Sequence, residues 1–236
     1  MAKAKVEIIY SDDDIVVVNK PSGVSVTKDR SGKEQLLDVL SRQMSADEVD
    51  SLRLIHRLDK ATSGCLMLAR TPQAQSKYSS CFEKQLIRKT YLALVTGFPI
   101  RKSGNINARI IKDSKRPGQM HLTRKHGKGA STKWQVLADF NGVCLLAVWP
   151  LTGRTHQIRV HLPSVGLPLA IDPLYGNKRP IYLSDFKQDY RLGKGQKEKP
   201  LMERLTLHAY QLELKEPQAE KPDCFVAPLD KKLRQR

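Results

Sequence analysis

Acidic side chains, aromatic rings, cysteines and long apolar runs are all scarce in this chain. Phe, Trp and Tyr make up 6% of 236 residues, which excludes base stacking as a widespread mode of recognition. The four cysteines, Cys65, Cys81, Cys144 and Cys224, show no C-x-x-C spacing and fall mainly in apolar runs. They read as reduced core thiols, not as a metal cage or a disulfide frame. No stretch approaches the ~20 apolar residues of a membrane helix, and the opening MAKAKVEIIYSDDD lacks the apolar core of a signal peptide. A cytoplasmic protein with no membrane partner is expected. Neither a glycine-rich phosphate loop nor a convincing metal-ligand set is present, so no cofactor and no metal are expected.

What the chain has in excess is positive charge. Lys and Arg number 41 against 24 Asp and Glu, a formal net charge of +17. That balance favours a polyanionic partner such as a nucleic acid, although a ribosome-associated protein or a membrane-surface binder would share it.

At 236 residues the chain can bury a substantial core. Short β-type runs predict paired strands over residues 6–10 and 15–18, joined by a turn at Ser11, Asp12, Asp13 and Asp14. The acidic triplet could hold a metal, as a metal-dependent nuclease would need, but adjacent carboxylates in a turn are usually solvated. Leu36, Leu37 and Leu40 predict a short helix over 34–44. Thr71 and Pro72 open a second helix, and the stripe Ala74, Tyr78, Cys81, Phe82 and Leu86 carries it to about Arg88. Further strands are predicted over 91–95, 106–111, 131–137, 143–148 and 205–214. Residues 112–133 hold Lys112, Lys115, Arg116, Arg124, Lys125 and Lys128, broken by Pro117 and three glycines. They are too polar for a core and predict a basic loop, either solvated or gripping a polyanion. A second long basic loop is expected over 176–204, and residues 216–236 as a loosely attached tail.

Three segments carry candidate chemistry. LIHRLDKATSGCLMLAR, at 54–70, places Asp59 beside Arg57 on a polar turn between apolar runs. Positive charge nearby favours a carboxylate's anionic form, and an anionic carboxylate can act as a nucleophile. Taken alone, a turn-capping Asp with a surface ion pair is the commoner explanation. KTYLALVTG, at 89–97, puts Tyr91 on a strand beside two cations, where packing is the usual role. LTGRTHQIRVHL, at 151–162, turns at Thr152 and Gly153 and enters a helix with Arg154, His156, Arg159 and His161; a helix start is a natural anion site.

Taken together, HRLDKATSG, KTYLALVTG and GRTHQIRVHL resemble the pseudouridine synthases of the RluA family, over roughly residues 6–214. The flanks IVVVNKPSGVSV and LTLHAYQLEL are also similar to that family. The resemblance implies a single-domain α+β enzyme over residues 1–215, with a mixed, largely antiparallel central sheet flanked by helices and a basic cleft. The first strand begins near Val6, so the separate N-terminal RNA-binding domain of many relatives is not expected. The implied partner is RNA, ribosomal or transfer, carrying the target uridine in a stem-loop, and the implied state is a monomer. RNA would be recognised by phosphate contacts and shape.

The same resemblance implies the roles. Asp59 matches the catalytic aspartate, attacking sugar or base of a uridine flipped from its stack. Tyr91 matches a tyrosine that stacks on the extruded uracil and assists proton removal from C5. Arg159 matches an arginine that pairs with the catalytic aspartate. Arg57 matches an RNA contact, with a surface ion pair as its alternative, and Leu207 a pocket wall, with core packing as its alternative. His56, His156 and His161 read as structural. A noncatalytic RNA-binding or ribosome-assembly protein of the same fold is the competing reading, against which the intact Asp59, Tyr91 and Arg159 set argues.

Overall fold

The computed structural model describes residues 5–27, 34–140, 142–187, 189–191, 193, 195–216 and 222–229. In chain order its elements are β1 (Glu7–Ser11), β2 (Ile15–Lys20), α1 (Leu36–Leu40), α2 (Ala46–Ser51), β3 (Arg53–Leu54), β4 (Ser63–Ala69), α3 (Pro72–Glu83), β5 (Ile87–Thr96), β6 (Ser103–Lys112), β7 (Met120–Thr123), β8 (Lys128–Asp139), β9 (Val143–Pro150), α4 (Gln157–His161), β10 (Leu207–Leu214) and β11 (Cys224–Val226). Mixed, largely antiparallel strands with short helices make up the α+β class expected. The chain forms two compact units, one drawn from Met1–Thr90 and His208–Leu229, the other from Tyr91–Leu207.

In the first unit β1, β2, β4 and β10 are successive neighbours. The first two junctions are antiparallel and β4 runs parallel to β10. Every residue of β4 is buried, and β2 is nearly so. Burial on both faces explains why these strands read as continuous apolar runs and not as alternation. Ile15 and Val17 of β2 share a core cluster with Cys65, Met67 and Ala69 of β4 and with Ala74 and Tyr78 of α3. The alternate residues of each strand make that face.

Helix α3 starts as predicted, with Thr71 Oγ1 accepting the Ala74 N–H at 3.1 Å and Pro72 at the first helical position. It ends at Glu83 instead of Arg88 because Gln85 takes a left-handed φ of 58° and β5 begins at Ile87. The predicted helix over 34–44 is the shorter α1, with residues 41–44 in turns. Helix α2 was not expected, although Ser45 and Glu48 form a capping box at its start. Part of the expected tail is docked: β11 pairs with β10, and Phe225 and Ala227 are 3% and 0% exposed. Cys224 is exposed and so is not a core thiol.

The second unit is antiparallel, in the order β5, β9, β8, β6, β7. The basic segment 112–133 is not a loop. It contains the end of β6, all of β7 and the start of β8. Met120 and Leu122 of β7 pack against Ile110, Ala130 and Val160, so one face of this ribbon is apolar while its cations sit outside the core. Leu94 N–H donates to Thr206 O at 3.0 Å, Ala170 N–H to Leu94 O at 2.9 Å and Thr206 N–H to Ile171 O at 3.1 Å. These bonds fix residues 170–171 and 206 against the strand that carries Tyr91.

Candidate active site

Asp59 is half-buried on a turn whose backbone is tethered at each carbonyl. Its own C=O accepts the Thr62 N–H at 3.0 Å, and Lys60 O accepts the Gly23 N–H at 2.8 Å. Lys60 O also accepts from Lys20 Nζ at 3.1 Å, and Ala61 O from Ser22 Oγ at 2.6 Å. Lys20 is 0% exposed, and its ammonium also donates to Pro21 O and Val24 O, each at 2.9 Å. Its three N–H donors are matched by three carbonyls. The lysine thus joins the 20–24 loop to the Asp59 turn.

The turn runs into β4 through Gly64, whose φ is +114° and where a Cβ would lie 2.1 Å from Ala209 O. Only glycine fits so close a parallel approach of β4 to β10. Next to it, His208 Nε2 lies 3.1 Å from Ala227 O. A carbonyl only accepts, so Nε2 carries the proton and Nδ1 accepts from Ser63 Oγ at 2.9 Å. His56 Nε2 accepts the Met67 N–H at 3.0 Å, and its ring stacks on Phe82 at 4.2 Å. Burial, with the charge of Lys89 adding to it, pushes the His56 imidazole down to about 3. Burial likewise brings the Lys89 ammonium down to about 8. Arg57 is exposed. Asp12, from the acidic triplet, closes the β1–β2 turn by accepting the Asp14 and Ile15 N–H groups at 2.8 and 2.7 Å.

Tyr91, Arg159 and Leu207 belong to the second unit. Tyr91 lies on β5, half-buried, opposite Val148 of β9. Leu207 is 3% exposed at the start of β10. Arg159 is 5% exposed and meets a partner the sequence did not indicate, Asp172. Nε donates to Oδ2 at 2.8 Å and Nη2 to Oδ1 at 2.7 Å, a bidentate fork. The helix that carries Arg159 is short, and Arg154 and His156 precede it.

Its start is fixed by Gln157, 4% exposed. The amide oxygen accepts from Thr152 Oγ1 at 2.6 Å and the Arg154 N–H at 3.0 Å. The amide nitrogen donates to Ser131 O and Thr132 Oγ1, each at 2.9 Å. His161 Nδ1 lies 2.9 Å from Thr132 Oγ1, and burial, partly opposed by the Ala108 backbone, brings that imidazole down to about 4. His156 Nδ1 lies 2.7 Å from the Tyr175 hydroxyl. The three histidines therefore serve three different local networks.

Lys20, Gln157, Asp172 and Tyr175 were not singled out from sequence. The available signals were a lysine closing the apolar run IVVVNK, and an aspartate inside the otherwise apolar LAIDPLYG.

Asp59 stands on a tethered turn of one unit, while the strand residue Tyr91 and the fork-bound Arg159 belong to the other, on a chain of net charge +17. The pattern of the RNA pseudouridylate synthases matches residues 14–164. An uncharacterized RNA pseudouridine synthase of Zymomonas mobilis is 33% identical over 226 residues, covering 95% of this chain and 94% of that protein. The ribosomal large subunit pseudouridine synthase D of Nitrosomonas europaea is 34% identical over 94% of this chain, which spans 62% of that protein's length. Among solved structures, human RNA pseudouridylate synthase domain containing 1 superposes with a TM-score of 0.71 at 27% identity, covering 98% of this chain and 85% of that one. The chain belongs to the RNA pseudouridylate synthase family, whose members are isomerases that act on RNA.

Proposed function

We propose that the enzyme converts a uridine of structured ribosomal RNA to pseudouridine in the cytoplasm, with Asp59 as nucleophile and without cofactor or metal. The observation that carries this reading is the tethering of the Asp59 turn at its three carbonyls by Thr62, Lys20, Gly23 and Ser22. A backbone so held costs little reorganisation when the carboxylate attacks. Ribosomal RNA is favoured because relatives named for the ribosomal large subunit match most of the chain; transfer RNA is the second reading, supported by the same phosphate-seeking charge.

In this mechanism the target nucleotide leaves its stack, at a cost of about a few kcal/mol. The Asp59 carboxylate forms a transient bond to the sugar or the base, the N1–C1′ bond breaks, the uracil turns, a C5–C1′ bond forms, and the bond to Asp59 breaks. The C5 proton leaves to solvent and N1 takes one up, so atoms and electrons balance without a redox partner. Tyr91 packs on the everted uracil and assists at C5, Arg159 supplies positive charge to the reaction, Arg57 contacts RNA, and Leu207 contributes to the pocket wall. Pseudouridine mapping across the RNA of cells with and without the protein tests the substrate. Sites absent only in the deleted cells, and in cells carrying Asp59→Asn, are expected in large-subunit ribosomal RNA. Identical maps would refute the reading.

A further inference from the structure

Arg159 is held on more than one side, and the residues that hold it have no role in the reading above. Asp172, 2% exposed, takes the Nε and Nη2 edge of the guanidinium. The same carboxylate also accepts the Leu174 and Tyr175 N–H groups at 2.9 and 3.2 Å, so it is itself fixed by its own turn. The Tyr175 ring lies against the guanidinium, 5.0 Å from Cζ to centroid, within cation–π range.

The Tyr175 hydroxyl is anchored too. It accepts the Met120 N–H of β7 at 2.7 Å and sits 2.7 Å from His156 Nδ1. His156 adopts a left-handed φ of 54°, a conformation unfavourable for a non-glycine residue that persists where the surroundings impose it. A guanidinium gripped along one edge and covered on one face has little rotational freedom left. Its remaining hydrogens point in a fixed direction.

We propose that Asp172 and Tyr175 are positioning residues that set the plane and direction of the Arg159 guanidinium for isomerisation, with Tyr175 referencing it to the basic β6–β7 ribbon. The inference rests on Arg159 being part of the active site. An ion pair needed only for folding would leave the rate of folded enzyme untouched. One needed for aim lowers the rate at saturation, because a displacement of about 1 Å costs on the order of 100-fold.

The test is single-turnover tritium release from [5-3H]uridine-labelled total RNA of cells lacking the protein, with enzyme in excess, for wild type, Asp172→Asn, Tyr175→Phe, Arg159→Lys and the Asp172→Asn/Arg159→Lys double variant. Asp172→Asn is expected to lower the saturating rate by about 10-fold or more with half-saturation changed less than about threefold. The double variant should be no slower than Arg159→Lys alone. Tyr175→Phe keeps the ring and loses only the hydroxyl, so it decides the matter should Asp172→Asn not fold; a lowered saturating rate at unchanged melting temperature supports the proposal. Wild-type rates in the folded Asp172 and Tyr175 variants beside a slow Arg159→Lys would overturn the proposal and leave Arg159 in the site. A shifted half-saturation at an unchanged saturating rate would also overturn it. A wild-type rate for Arg159→Lys would remove both.

Discussion

Gly64 is the position where one added methyl group would do most damage. Its left-handed φ and the 2.1 Å approach of a built Cβ to Ala209 O act together, and neither neighbour can yield without separating β4 from β10. Gly64→Ala is expected to cost about 3 kcal/mol or more, read as a large drop in melting temperature or loss of soluble protein. Near-wild-type melting would show that β4 and β10 lie far enough apart to admit a methyl group. Lys20→Met keeps the length of the stem and deletes the hydrogen bonds to three carbonyls. It should lower activity further than the loss of folded protein explains, because Lys60 O is released beside Asp59. The turn at Asp59 was legible as a polar stretch between two apolar runs. Lys20 was not, since a lysine after IVVV looks like a strand reaching solvent, and only the fold shows its ammonium closed in by carbonyls.

At the scale of elements, helix starts were easier to read than helix ends. Thr71 and Pro72 declare the start of α3 by side-chain chemistry, whereas its end rests on Gln85 in a conformation usually left to glycine. The β6–β7–β8 ribbon was hard to read for a related reason. It carries charge on exposed positions and hides a small apolar patch under Met120 and Leu122, so composition alone says loop. The proposed function assigns its cations to phosphate binding. Replacing Lys112, Lys115 and Lys125 by Gln should weaken RNA binding across sequences and flatten the salt dependence by about 0.7–0.9 log units for each phosphate no longer neutralised. An unchanged salt slope in a binding titration would remove the ribbon from the interface. Within α4, Gln157→Leu keeps the size but strips four hydrogen bonds from the 152–157 turn and β8. A loss of about 2–4 kcal/mol is expected in denaturant unfolding.

For the whole molecule, two desolvated imidazoles shape the mildly acidic side of the stability curve. In the folded chain His56 binds its proton only near about 3 and His161 near about 4, each down from the ordinary value of 6.5. Below about pH 6.5 the unfolded chain therefore holds more protons, and stability falls as pH falls, by up to about 1.4 kcal/mol per pH unit for each group. Above that value both rings are neutral in either state and add no slope. Urea unfolding should give a lower free energy at pH 5 than at pH 7.5, with a shallower dependence in His56→Gln; a flat profile would mean that the imidazoles are not desolvated. The positions of most strands were legible because apolar runs and turns alternate along the chain, and the α+β class was legible through the family resemblance. The pairing of Arg159 with Asp172 was not, because nothing in residues 159 and 172 taken separately marks them as neighbours.

In the proposed function Asp59 is the residue on which the chemistry depends. Single-turnover tritium release by Asp59→Asn, on total [5-3H]uridine RNA from cells lacking the protein, tests it most directly. The expected result is loss of nearly all release with RNA affinity and melting temperature retained, since the tethered turn and the phosphate contacts survive the change. Release at the wild-type rate would contradict the assignment of the carboxylate.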